Sequence, residues 1–155
     1  MRYLHHDMET IFDQETRDKI IARINTITED KAAQWGKMDI RQMLSHCTMY
    51  DEMLQGKRKF KRIFLGRLFG KLAMKDIIGD ARPVRQNMPT IPELKVFPPG
   101  INFAAEKNKW IALLEAYTSF GNQDSEHAFF GKINSQQIGY LSYKHADHHL
   151  RQFNS

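Results

Sequence analysis

The chain has one cysteine, Cys47, in 155 residues, so no internal disulfide can form and the fold must rest on its own core. The opening Met1-Arg2-Tyr3-Leu4-His5-His6-Asp7 contains no apolar leader segment, and no apolar run is long enough to span a bilayer. Alternating strand patterns and internal repeats are also missing, which argues against a sandwich, barrel or solenoid. A lone cysteine and the absence of leader or span make a protein of the reducing cytoplasm the expectation. Prolines are absent outside residues 83–99, where all five fall. Acidic side chains are absent from Lys57 to Lys75, which holds eight basic ones (Lys57, Arg58, Lys59, Lys61, Arg62, Arg67, Lys71 and Lys75). The formal charge of +5 is therefore local: without that segment 15 basic residues face 18 acidic ones. A polyanionic partner would have to use this patch alone.

At 155 residues and 41% hydrophobic composition, the chain is the size of one domain with a real core, which excludes wholesale disorder. Residues 1–155 read as one helical domain. The first helix is expected over Phe12–Thr28, with Asp13 as cap and Ile20, Ile21, Ile24 and Ile27 at helical spacing. A second begins after Asp39, whose partner Gln42 completes a capping-box spacing, and ends near Gly56. Its core sector holds Ile40, Met43, Leu44, Cys47, Tyr50, Asp51 and Leu54, of which only Asp51 is unsuited to a core. The basic stretch Phe60–Ile78 is amphipathic, with Ile63, Phe64, Leu68, Leu72 and Ile77 as expected anchors. Gly66 and Gly70 predict a kink or a break within it. Gly79–Gly100 is a long proline-rich loop of the kind that lines functional openings. Helix resumes from Asn102 to Ser119. A turn with His127, Phe129, Phe130 and Gly131 follows, and the last helix starts at the Asn134/Gln137 capping box.

That last helix stacks Ile138, Leu141, His145 and His149 on one face. Two imidazoles one turn apart can share a metal ion, although seven histidines yield about 0.3 such pairs by chance. Two further features give the pair weight. Its helix face is apolar, so the rings point inward, where unpartnered polar groups are costly. His46, at the edge of the core face of the second helix, supplies a third imidazole. Three histidines leave an open coordination position, as a catalytic metal requires. Gln152, three residues after His149, is placed to orient that ring or to cap the helix. His148 points away as a solvent-facing or supporting residue, Asp147 faces solvent, and His127 reads as a turn residue, with lining of the pocket as the lesser alternative. Cys47 reads as a buried, inert thiol.

The run His145-Ala146-Asp147-His148-His149-Leu150-Arg151-Gln152 resembles the final-helix motif of the DinB-like, or YfiT-like, metalloenzyme superfamily. Trp35-Gly36-Lys37-Met38, with Gln42-Met43-Leu44-Ser45-His46-Cys47, resembles the start of that superfamily's second helix and its first histidine. His127-Ala128-Phe129-Phe130-Gly131 and Tyr143 through Phe153 are similar to a bacterial branch known only as a domain of unknown function. The resemblance spans about Phe12 to Phe153. It implies an all-α four-helix bundle with, here, an additional helical segment and the long proline-rich loop. It also implies a divalent ion (zinc or nickel, with iron as a further option) held by His46, His145 and His149. Thiol transfer or another small-molecule reaction is the activity implied, with a low-molecular-weight thiol as the small-molecule substrate. Homodimers occur among such bundles, and nothing in the sequence places an interface. The alternatives are binding of nucleic acid or an acidic partner through residues 57–75, and a non-catalytic scaffold. The basic segment is interleaved with Phe60, Ile63, Phe64, Leu65, Leu68, Phe69 and Leu72, which makes nucleic acid the lesser reading. The same geometry also suits contact with a membrane surface.

Overall fold

The computed structural model describes residues 8–155, so the opening Met1–Asp7 lies outside it. Among the described residues there are five α-helices: α1 (Gln14–Asn25), α2 (Ile40–Leu54), α3 (Phe64–Ile78), α4 (Phe103–Glu115) and α5 (Ser135–Gln152). α4 tightens into a 3-10 turn over Ala116–Ser119, and a second 3-10 turn at Pro92–Lys95 interrupts the proline-rich loop. The helix starts follow the local chemistry. Asp13 accepts from the Thr16 amide, while Asp39/Gln42 and Asn134/Gln137 form complete reciprocal capping boxes.

The core bundle consists of α1, α2, α4 and α5, with α2 and α1 each packing against both α4 and α5. Its interior is filled by Ile20, Ile24, Met43, Leu44, Met53, Trp110, Leu114, Ile138 and Leu150. α3 stands outside this core and touches α5 and a short antiparallel hairpin, β1 (Ser125–His127) with β2 (Gly131–Ile133). The architecture is thus all-α, a bundle with an extra helix and a small hairpin insertion. The hairpin corrects the expectation of a plain turn there. Strands of three residues are too short to display an alternating pattern.

The helix α3 runs through Gly66 and Gly70 without a break, and Phe64, Leu68 and Leu72, expected as anchors, are exposed. Its buried face is instead Gly66, Gly70 and Met74. Both glycines lie against the Phe129 carbonyl in the hairpin turn, where a Cβ would overlap the oxygen. Arg62 secures the join, donating to the carbonyls of Ala128, Phe129 and Gly66. The helix docks through main chain, so its apolar side chains are left on the far side.

A buried carboxylate ties the bundle together. Asp51 on α2 accepts from Trp110 Nε1 (2.9 Å) on α4, from Tyr117 Oη (2.8 Å) and from Ser142 Oγ (2.7 Å) on α5. Three donors are what a desolvated carboxylate requires, and burial still pushes its pKa up to about 6. Asp147 was expected in solvent and is instead buried, paired with Arg23 of α1 (2.7 Å) and Arg151 (2.7 Å).

Candidate metal centre

α2 and α5 are neighbours in the bundle, and their register sets His46 against the His145–His149 pair. One candidate ligand atom from each ring lies within 4.8 Å of the others. His46 Nε2 and His145 Nε2 are 2.9 Å apart. Two imidazole nitrogens on a tetrahedral ion with bonds of about 2.0–2.1 Å sit roughly 3.3 Å apart, so a small ion needs only a few tenths of an ångström of adjustment. No carboxylate joins this cluster among the described residues.

The outer nitrogens of two rings are already engaged. His46 Nδ1 lies 2.9 Å from the Leu94 carbonyl oxygen, supplied by the proline-rich loop. A carbonyl only accepts, so Nδ1 carries the proton and the Nε2 lone pair faces the cluster. His149 Nδ1 lies 2.8 Å from Gln152 Oε1. The amide cannot be turned round, because its Nε2 donates to the Trp35 carbonyl at 2.8 Å. Gly36, at φ +81°, brings its Cα close against that amide, where a Cβ would collide with Gln152 Nε2. His149 is therefore protonated at Nδ1 and leaves Nε2 free. His145 is held by the Tyr50 ring, stacked at 3.7 Å between centroids with planes 10° apart.

Electrostatics keep all three rings in the form that binds metals. Burial pushes His46 down to about 4, against a smaller opposing effect of its bond to Leu94. Burial first, then the neighbouring histidines, holds His145 and His149 well below the ordinary imidazole range. Neutral imidazole is a ligand and imidazolium is not, so no proton competes at neutral pH. The buried Cys47 thiol is pushed up by desolvation and then by Asp51, in keeping with an inert role.

Further residues surround the three histidines. His148 is half-buried, with its ring 5.8 Å from Trp35 and Nδ1 3.4 Å from the Val84 carbonyl. Lys144 donates to the carbonyls of Asp80 (2.5 Å) and Arg82 (2.8 Å), which pins the start of the same loop. His127, expected as a turn residue, is buried in the hairpin behind Tyr50, with the two rings 5.6 Å apart. Its Nδ1 accepts from the amides of Phe129 (3.0 Å) and Phe130 (3.2 Å). Nε2 must then carry the proton, and this buried N–H has no partner. Desolvation, with Arg62 nearby, pushes His127 down to about 3.

The fold and the site define a class: a helical bundle with a buried three-histidine cluster capable of coordinating a divalent metal ion. Both are consistent with the DinB/YfiT-like fold that the sequence resembles. The particular family is shown directly, since the family model described as "Protein of unknown function (DUF1569)" matches residues 8–155. The chain belongs to that family. No curated protein and no solved structure matches it.

Proposed function

We propose that this is a divalent-metal-dependent protein that holds zinc or nickel, with iron as the third option, through His46, His145 and His149. On this reading it acts as a single domain on a small molecule. The observation that carries the reading is the pair of fixed tautomers at His46 and His149, each presenting a lone pair to the cluster. A structural metal would take four protein ligands, whereas three leave a position for a substrate atom. An ion held there by three neutral imidazoles would keep its full positive charge and would supply Lewis-acid activation of a thiol or water.

Thiol transfer is the reaction this arrangement supports best. Among the described residues the cluster lacks a carboxylate to act as general base for hydrolysis, whereas an ion held by His46, His145 and His149 would supply activation of a thiol without one. A low-molecular-weight thiol is the matching substrate, and a cytoplasmic setting would provide it.

The test has two stages. Protein purified without a histidine tag should bind close to one equivalent of zinc or nickel, and His46→Ala should abolish this. Metal-loaded protein should then consume thiol in the presence of an electrophile panel, and His145→Ala should not. Absence of stoichiometric metal would overturn the site. Metal without turnover above His145→Ala would overturn the thiol chemistry alone.

A further inference from the structure

α3 has an apolar face that nothing among the described residues covers. Phe64, Leu65, Leu68, Phe69 and Leu72 are 69%, 57%, 62%, 53% and 70% exposed. At 100° per residue they occupy one sector of about 140°, opposite the Gly66–Gly70–Met74 face that docks on the hairpin. Five adjacent large side chains on one helix exceed the scattered exposure normal for a protein surface. Arg67, Lys71 and Lys75, spaced four apart, form an exposed row along one edge of this sector. Lys57, Lys59 and Lys61 add three exposed cations in the segment entering the helix. Of the eight basic residues here, Arg58 is paired with Glu52 and Arg62 is spent on the hairpin carbonyls. The other six make no salt bridge among the described residues.

We propose that α3 is an in-plane anchor that seats the protein on an anionic membrane surface. The five apolar side chains would enter the acyl boundary while the lysines and Arg67 remain among lipid phosphates. Two halves of the observation select this occupant. The apolar face needs cover that a nucleic acid does not supply. The uncompensated cations would face one another across a symmetric pairing of two copies, which charge repulsion disfavours. An anionic bilayer answers both, and the exposed face of the docked helix needs no shaped groove to receive it. α3 is 15 residues long, and no described helix is long and apolar enough to cross a membrane, so the contact is one of lying on the surface.

Flotation of the full chain with phosphatidylcholine vesicles, with and without phosphatidylglycerol, tests this. Binding is expected to the anionic vesicles and to weaken with salt. Leu68→Gln with Leu72→Gln should reduce it by at least about tenfold, given the transfer energy of a leucine side chain. Each of Lys71→Glu and Lys75→Glu should lower it by about fivefold or more. Phe64→Trp should give an emission that shifts to the blue on binding. All these positions are exposed, so unchanged circular dichroism and melting of the variants keep the readout specific to the surface. Three results would overturn the proposal: no partition at low salt, partition indifferent to the leucine pair, or a leucine-dependent dimer in sedimentation without vesicle binding. Nucleic-acid binding that needs the lysines and ignores the leucines would overturn it equally.

Discussion

Replacing Gln152 by leucine should weaken metal binding without touching a ligand. The amide does two things: its oxygen fixes the Nδ1 proton of His149 at 2.8 Å, and its nitrogen holds the Trp35 carbonyl at 2.8 Å. Leucine nearly fills the same space and does neither. His149 is then free to change tautomer or rotate, and its Nε2 loses both aim and basicity. Supporting groups of this type are worth about 10–100-fold in metal affinity, or roughly 1.4–2.7 kcal/mol. Gln152→Glu separates the two functions. Its carboxylate still accepts from Nδ1 but sets an oxygen against the Trp35 carbonyl, so its affinity should fall between wild type and leucine. Zinc affinity would be read by competition with a chromophoric chelator at neutral pH, and apo-protein unfolding would measure the separate structural cost. The reasoning is refuted if Gln152→Leu binds zinc within about twofold of wild type while His149→Ala loses more than about a hundredfold.

Three further outcomes follow from the packing and the charges. Asp51→Asn keeps one acceptor but turns an NH2 towards Trp110 Nε1, so urea unfolding should show a loss of about 1–3 kcal/mol. Asp51→Leu orphans three donors and should cost more than the asparagine. Gly70→Ala would stabilise an ordinary helix by about 1 kcal/mol, yet here it should destabilise by roughly 1–3 kcal/mol because the Cβ meets the Phe129 carbonyl. A stabilised Gly70→Ala protein would show that the close approach of helix and hairpin is wrong. His127 is held down to about 3 in the fold, against an ordinary value of 6.5. The folded state therefore stays neutral there while the unfolded chain takes a proton as pH falls below 6.5. Stability drains by about 1.4 kcal/mol per pH unit from this one group until the folded value is reached. His127→Asn can still accept from the Phe129 and Phe130 amides and does not titrate, so its urea midpoint should fall less between pH 7 and pH 5. Equal slopes for the two proteins would count against the buried neutral imidazole.

Those features that depend on short-range pattern were legible before the fold was known. The two capping boxes start α2 and α5 where the spacing of Asp39/Gln42 and Asn134/Gln137 puts them. The inward direction of the Ile138–Leu141 face and the position of His46 beside a core sector pointed to the three imidazoles, and the resemblance of the surrounding motifs was needed to join them into one set. What escaped depends on partners remote in sequence or on main chain. Asp147 is buried because Arg23, 124 residues away, meets it. Asp51 stood out only as misplaced among core residues, because its three donors come from other elements. Counting apolar residues in α3 assigned the wrong face to the interior. The face that docks does so by having almost no side chains, and a hydrophobic pattern cannot register that.

The proline-rich loop touches the histidines through the carbonyls of Val84 and Leu94, and the neighbouring carbonyls of Asp80 and Arg82 take Lys144. Every residue type presents the same carbonyl. The loop's service to the site is therefore written in its path and not in its letters. Val84 can be exchanged for other residues that keep the backbone course, whereas Leu94 is also buried in the core and must stay apolar of similar size for its carbonyl to keep the hydrogen bond to His46. Removing or inserting a single residue between them shifts the oxygen out of register and frees the ring. For an engineer, the exposed positions of residues 79–100 are consequently open to change at constant length, with Ile91 and Leu94 kept for the core, and changing the length retunes the candidate metal site without altering any of its three histidines.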